Sequence, residues 1–412
     1  MSRIIVIGAG LAGLSAALMA AERGHRVDVI AKGYGGTLLS HGSLDVYGWR
    51  ADGTLVTDPF AEVDAAEPTH PYAAIGSANV RAGLSWLAEG PARPLGFDFA
   101  DANRLVPTSV GAARPTYGVP ASLRSSVLVD GASYVVVGLS VFKDLPASLV
   151  ADNLARSPHV SVTVRSEVID VAARGGERDA TATTLARMWD DHAEELVTAL
   201  SSVGRGEEIL LVPAALGLDP ATAPAIARRV GRGVGEVLVP PPAIGGRRLH
   251  DLLVNACRAA RVDIHLNARA VGAVVDGDAI TAVRVQRAGR VTASRVDAVI
   301  HAPGGFESGG LARDSYGVIT EPVFHLPIAI PGGKDPAELS SLEEILRCGV
   351  RVDERMRPVG ADGAHVYRNL HAAGDVLGGA LPFSELSGEG ICLGAAWAAV
   401  TAISENEELT HE

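Results

Sequence analysis

The chain has 412 residues, 47% hydrophobic and 20% charged, with a formal net charge of −12 at pH 7. That length gives room for two domains of ordinary size and a large core. The acidic balance speaks against a nucleic-acid footprint, which requires a basic face. The only lysines are Lys32, Lys143 and Lys334, so the basic residues are almost all arginines, whose planar fork suits phosphate and carboxylate. Cys257, Cys348 and Cys392 are widely spaced and form no CxxC pair. The chain therefore offers no thiolate set for an iron–sulfur cluster or a structural zinc, and no disulfide framework. No metal-ligand cluster is expected. There is no signal-peptide pattern at the start and no uninterrupted apolar stretch of membrane-spanning length, so any membrane contact is expected to be peripheral.

In chain order, 3–7 (RIIVI) reads as a buried parallel strand, 11–23 as a helix stopped by Gly24, and 27–31 as a second strand. Between them Gly8, Gly10 and Gly13 form a dinucleotide-type fingerprint in its proper strand–turn–helix setting. The first glycine permits the turn, the second lets backbone approach a phosphate, and the third allows close helix packing. The acid usually found at the end of the second strand is missing, because Ala31 and Lys32 stand there. A loop with Ser40, His41 and Ser43 follows.

The pattern then weakens, with one helix predicted at 78–88. A second α/β series follows: strands at 134–139, 160–164, 209–213 and 236–239, and helices at 145–156, 184–201 and 221–230. After VPPPAIGG come a helix at 246–261, a strand–turn–strand over 262–285, and a strand at 296–301 running into APGG, which contains Gly304 and Gly305. The last third holds LHAAGDVLGG, with Gly374 and Asp375, and then SGEG, with Gly388 and Gly390, opening a long small-residue helix. Residues 405–412 read as a loose acidic tail.

The expected fold is α/β: a Rossmann-type flavin-binding domain from 1–50 and 241–412, with an inserted α/β cap at 51–240. Asp375 is placed to accept bonds from ribityl or ribose hydroxyls, and the helix start at Gly388–Gly390 to face a flavin ring edge. His41 is a candidate for touching or tuning the flavin. Arg114, Arg247 and Arg248 are the candidates to meet an anion, with Arg248 the one more expected to face solvent. His301 reads as a satisfied core histidine, and Cys392 as either a helix-start thiolate or simple packing.

The whole chain resembles the B-subunit family of anaerobic glycerol-3-phosphate dehydrogenase. The stretches that carry this are SHGSLDVYGWRADGTLVTDP, THPYAAIG, VPTSVGAARPTY, VVVGLSVFKDLPASL, RDATATTLARMWDD, ILLVPAALGL, VPPPAIGGRRL, GGFESGGL and GDVLGG, in family order. The resemblance implies the flavin-bearing subunit of a glycerol-3-phosphate:quinone oxidoreductase. Such a protein pairs with a separate catalytic subunit that carries FAD. An iron–sulfur subunit holds the pair to the inner face of the cell membrane. The resemblance further implies FMN on this chain, which agrees with Ala31, since FMN has no adenosine ribose to grip. A more distant similarity to succinate and fumarate dehydrogenase flavoproteins, in which a small residue there accompanies FAD, keeps FAD as the alternative. In those relatives the strand corresponding to HLNARAVGAVV cradles an adenine, and a histidine in a loop like that of His41 is joined covalently to flavin. The competing functions are a succinate/fumarate-type FAD oxidoreductase and an electron-transfer or assembly subunit without a substrate site of its own.

Overall fold

The computed structural model describes residues 1–171 and 176–411. Its central layer is a five-stranded, all-parallel sheet in the order Leu370–Ala372, Ala298–His301, Arg3–Ile7, Arg26–Ile30, Asp263–His265. Strands buried on both faces read as continuous apolar runs rather than as alternations, which is why RIIVI was legible. The helix Leu11–Glu22 is buried from Leu11 to Ala20. It is packed by the helices Ile244–Ala259 and Gly388–His411. A three-stranded antiparallel sheet, Ala268–Asp276, Ala279–Arg287 and Arg290–Arg295, is inserted before the Ala298–His301 strand. The final helix continues to His411, through most of the predicted loose tail; Glu412 lies outside the described residues.

The inserted domain is a second parallel sheet of four strands, in the order Thr163–Ile169, Ser133–Leu139, Ile209–Pro213, Val234–Val237. Its edge strand runs three residues later than predicted, because TVRSEVI is half solvated and carries no apolar run. The helix expected over 184–201 is two helices, Ala182–Asp191 and Glu194–Ser202.

The two sheets have separate cores, and the second gathers residues from Ala113 to Ile244. Residues 59–89 belong to the first core. Their helices Pro59–Asp64, Pro71–Ile75 and Ser77–Glu89 pack on the flavin domain, and Gly83 lies so close to the final helix that a Cβ there would sit 2.5 Å from the Leu393 carbonyl oxygen. The range 51–240 therefore spans part of one core and nearly all of another, whose last member is Ile244.

The connection back from the inserted sheet fixes how the two layers meet. Arg248, expected to face solvent, is 3% exposed. Its guanidinium makes a two-pronged contact with Glu236 (2.7 and 2.9 Å), and also donates to the Gly217 carbonyl (2.8 and 2.6 Å) and to Ser122 Oγ (3.2 Å). Glu236 accepts in addition from the Leu216 N–H at 2.9 Å. Arg247, its neighbour, lies on the outer side of the helix and pairs with Asp251, both side chains being 43% exposed. The sequence could not separate two adjacent arginines at a helix start; the helix phase did.

Replacing Arg248 by Ala strands a buried carboxylate, so urea unfolding should show a loss of about 3–5 kcal/mol. Arg247→Ala, which removes only an exposed i,i+4 pair, should cost under about 0.5 kcal/mol.

Candidate functional site

The glycine segments predicted to hold a cofactor meet at the carboxyl ends of the central strands, where open α/β sheets bind ligands. Gly8 has φ +108°, and a Cβ on it would lie 1.9 Å from the Ala302 carbonyl oxygen; one on Gly13 would lie 2.2 Å from the Gly8 oxygen. Both are glycine because backbone leaves no room. Gly10 differs: a Cβ there would meet only Gly36 N at 3.8 Å, so packing does not require its small size. Gly10 also caps the helix Leu11–Glu22 without any side-chain hydrogen bond. The opening over Gly10 and the uncapped N–H groups suit a phosphate.

Around this turn, Gly305 abuts the Asp375 carbonyl, Gly374 sits against Ala12 and Cys392, and Gly390 faces the Tyr72 hydroxyl. The structure thus gathers Gly8, Gly10, Gly13, Gly304, Gly305, Gly374, Asp375, Gly388 and Gly390 into one groove. Burial and then Glu307 push the Asp375 carboxyl up to about 6. Cys392 is no thiolate, since burial followed by Asp375 and Glu389 drives its pKa well above the ordinary value.

At the second strand's end, both backbone groups of Ala31 are used in pairing: its N–H donates to His265 O and its carbonyl accepts from Ala268 N, each at 3.0 Å. Lys32 reaches over to the Ser308 carbonyl at 3.3 Å. A cation, not a carboxylate, borders the place where a ribose acid would stand. Beside it lies a cavity of about 240 Å³ lined by Ala9, Leu14, Tyr34, His250 and Leu266, among others.

The loop with Ser40, His41 and Ser43 is held by direct backbone contact with the start of the Ile244–Ala259 helix. Gly42 has φ +76° and lies against Gly245, while a Cβ on Gly245 would be 2.0 Å from the His41 oxygen. Ser40 Oγ accepts from the Gly42 N–H (3.4 Å), and Ser43 is buried. Arg114, on the hairpin strand Ala113–Thr116, places Nη2 2.5 Å from Oδ2 of the buried Asp45. Burial lowers the His41 pKa, and the Arg114 charge lowers it further. Burial disfavours the charge on Arg114, but Asp45 and Glu389 outweigh that and raise its pKa. Glu389, at the start of the final helix, is pushed up to about 8 by burial and by Asp45. Three buried atoms here have no hydrogen-bond partner: His41 Nδ1, Asp45 Oδ1 and Arg114 Nη1.

His41, the candidate to touch or tune the flavin, and Arg114, a candidate to meet an anion, therefore share a cluster, and Arg247 stands apart from it. His301 is fully buried, with Nε2 3.0 Å from Glu321 Oε1. Sequence reasoning passed over Asp45 and Glu389. The available signal was a single acid inside the small or apolar stretches SLDVYG and SGEG.

Gly10→Ala should fold normally and lose most of its bound flavin, as read by visible absorbance of the purified protein; Gly8→Ala, with no space for a Cβ, should fail to give stable protein.

The sequence pattern of the FAD binding domain family matches residues 3–391. A Halobacterium salinarum protein named as a probable B subunit of anaerobic glycerol-3-phosphate dehydrogenase is 31% identical, over 98% of both chains. The protein named as the B subunit of that dehydrogenase in Yersinia pestis bv. Antiqua is 30% identical, again over 98% of each. Among solved structures, a flavocytochrome c3 fumarate reductase aligns over 98% of this chain and 78% of that one (12% identity, TM-score 0.47). The 3-ketosteroid delta1-dehydrogenase of Sterolibacterium denitrificans aligns over 98% and 99% (11% identity, TM-score 0.46). The FAD binding domain match supports a flavin, and specifically FAD, the alternative kept above, rather than the FMN that the resemblance implied and Ala31 agreed with. The chain belongs to the B-subunit family of anaerobic glycerol-3-phosphate dehydrogenase, a group of flavin oxidoreductases built on the FAD binding domain.

Proposed function

We propose that this chain is the flavin-bearing subunit of a glycerol-3-phosphate:quinone oxidoreductase, acting in the oxidation of glycerol 3-phosphate to dihydroxyacetone phosphate. The observation that carries this reading is the cluster of unsatisfied buried polar atoms on Arg114, Asp45 and His41, at the junction of groove and hairpin. A small anionic polyol offers matching groups: a phosphate for the free guanidinium nitrogen, and hydroxyls for the carboxylate oxygen and the imidazole. Arg114 binds and orients. His41 stays neutral at physiological pH, because burial and Arg114 both oppose its protonation, and so it accepts or donates one hydrogen bond without adding charge. The flavin, when bound, accepts a hydride and releases electrons singly.

FAD is the proposed cofactor; the turn at Gly10 with the uncapped helix start would hold its phosphates, and Asp375 would accept from its hydroxyls. In this reading the electrons leave through iron–sulfur clusters of a partner subunit, since the relatives are named as B subunits of a dehydrogenase with further subunits. No helix of the described residues is long and apolar enough to cross a membrane.

Acid release and mass identification of the flavin should give FAD. Arg114→Gln in the assembled complex should lower kcat/KM for glycerol 3-phosphate about 10- to 100-fold, the effect of losing a charge-assisted hydrogen bond, with flavin content retained. Unchanged kcat/KM in that variant would place the substrate on another subunit.

A further inference from the structure

The cavity beside Ala31 shares two walls with the turn that suits a phosphate. Ala9 immediately precedes Gly10, and Leu14 donates its N–H to the Gly10 carbonyl at 2.9 Å; both line the cavity. It extends from there along the Ile244–Ala259 helix and the edge strand Asp263–His265, to the exposed Arg258 and Asp263 at its rim. Val254, Ile264 and Leu266 make much of its wall apolar. At about 240 Å³ it is smaller than a pocket that takes a whole ligand, roughly 300–1,000 Å³, and so suits one part of a larger molecule.

One polar group lining it is unsatisfied. His250 is 3% exposed, and its Nδ1 is buried without a hydrogen-bond partner. Tyr34, half exposed, meets the His250 ring edge-on, with centroids 5.3 Å apart. Burial lowers the His250 pKa; Asp251 opposes this and Arg247 and Arg258 add to it, so the ring is neutral at physiological pH. A buried polar atom left unpaired is unfavourable, which favours a ligand atom that pairs with it. The occupant is thus joined to the group at Gly10, largely apolar, and able to offer one hydrogen-bonding edge. The adenosine half of FAD meets all three conditions. FMN ends at its phosphate and would leave the cavity empty.

Resting on the reading that a flavin is held at Gly10, we propose that this cavity seats the adenine ring of FAD, and that His250 supplies the hydrogen bond that selects it. Adenosine is then recognised by its base, from the Ile244–Ala259 helix, rather than by an acid gripping its ribose from the end of the second strand, where Ala31 stands.

The test is titration of the full chain, stripped of flavin, with FAD and with FMN, comparing the wild type with His250→Phe. Phenylalanine keeps a ring of similar size and removes both nitrogens. The wild type should bind FAD about 10-fold or more tightly than FMN, because only FAD fills the apolar cavity. The variant should lose about 3- to 10-fold in FAD affinity, the effect of one neutral hydrogen bond, with FMN affinity unchanged. Its Tm without flavin should not fall, since the substitution removes an unsatisfied buried atom. Equal losses of FAD and FMN affinity overturn the proposal. Equal affinity of the wild type for the two flavins also overturns it, even where His250→Phe does not fold. A wild type that binds neither flavin overturns the flavin reading and this proposal together. Preference for FAD that His250→Phe leaves unchanged overturns this proposal alone.

Discussion

The absence of three side chains, at Gly42, Gly245 and Gly246, holds the working parts of this molecule in register. The Ser40–Ser43 loop and the start of the Ile244–Ala259 helix touch backbone to backbone: a Cβ on Gly246 would meet the Ser40 and Thr37 carbonyls at 2.3 and 2.4 Å, and one on Gly42 would meet Gly245 at the same range. That contact fixes the His41 loop against the helix start. Two residues on, Arg248 grips Glu236 of the inserted sheet. A buried ion pair of this kind adds little net stability over an apolar pair, because desolvation offsets the attraction, yet breaking it is expensive. The apolar cores supply the stability, and the fork fixes how they face each other. The contact of loop, helix and inserted sheet explains why a chain with two separate cores makes one site.

The electrostatics of the groove have a single cause with opposite local results. Burial penalises whichever form is charged. Asp375 and Glu389 are therefore pushed towards their protonated forms and His41 towards its neutral form, while Arg114 keeps its charge only because Asp45 is in contact with it. At the other end of the groove the uncapped start of the Leu11–Glu22 helix attracts an anion by its free N–H groups and partial positive charge.

The contrast between Arg247 and Arg248 shows where local pattern ends. Both follow a glycine pair at a helix start, and both are arginines. A helix turns about 100° per residue, so neighbours point to different surroundings, and which one meets the inserted sheet depends on the sheet's position. The same limit hid Asp45 and Glu389, which are 344 residues apart. It also displaced the edge strand Thr163–Ile169: half solvated, it lacks the apolar run by which its buried neighbours were found.

The sequence by itself determined the strand–turn–helix that opens the chain, the glycines of the groove, the two-layer α/β organisation and the family. All of these rest on local chemistry, namely turn geometry, apolar periodicity and motif order, which a linear chain carries in full. The tertiary structure alone decided which arginine is buried, which carboxylates share Arg114, and that residues 59–89 pack with the flavin domain rather than the cap. Those depend on long-range contact and on desolvation, and neither exists until the chain has closed around its core.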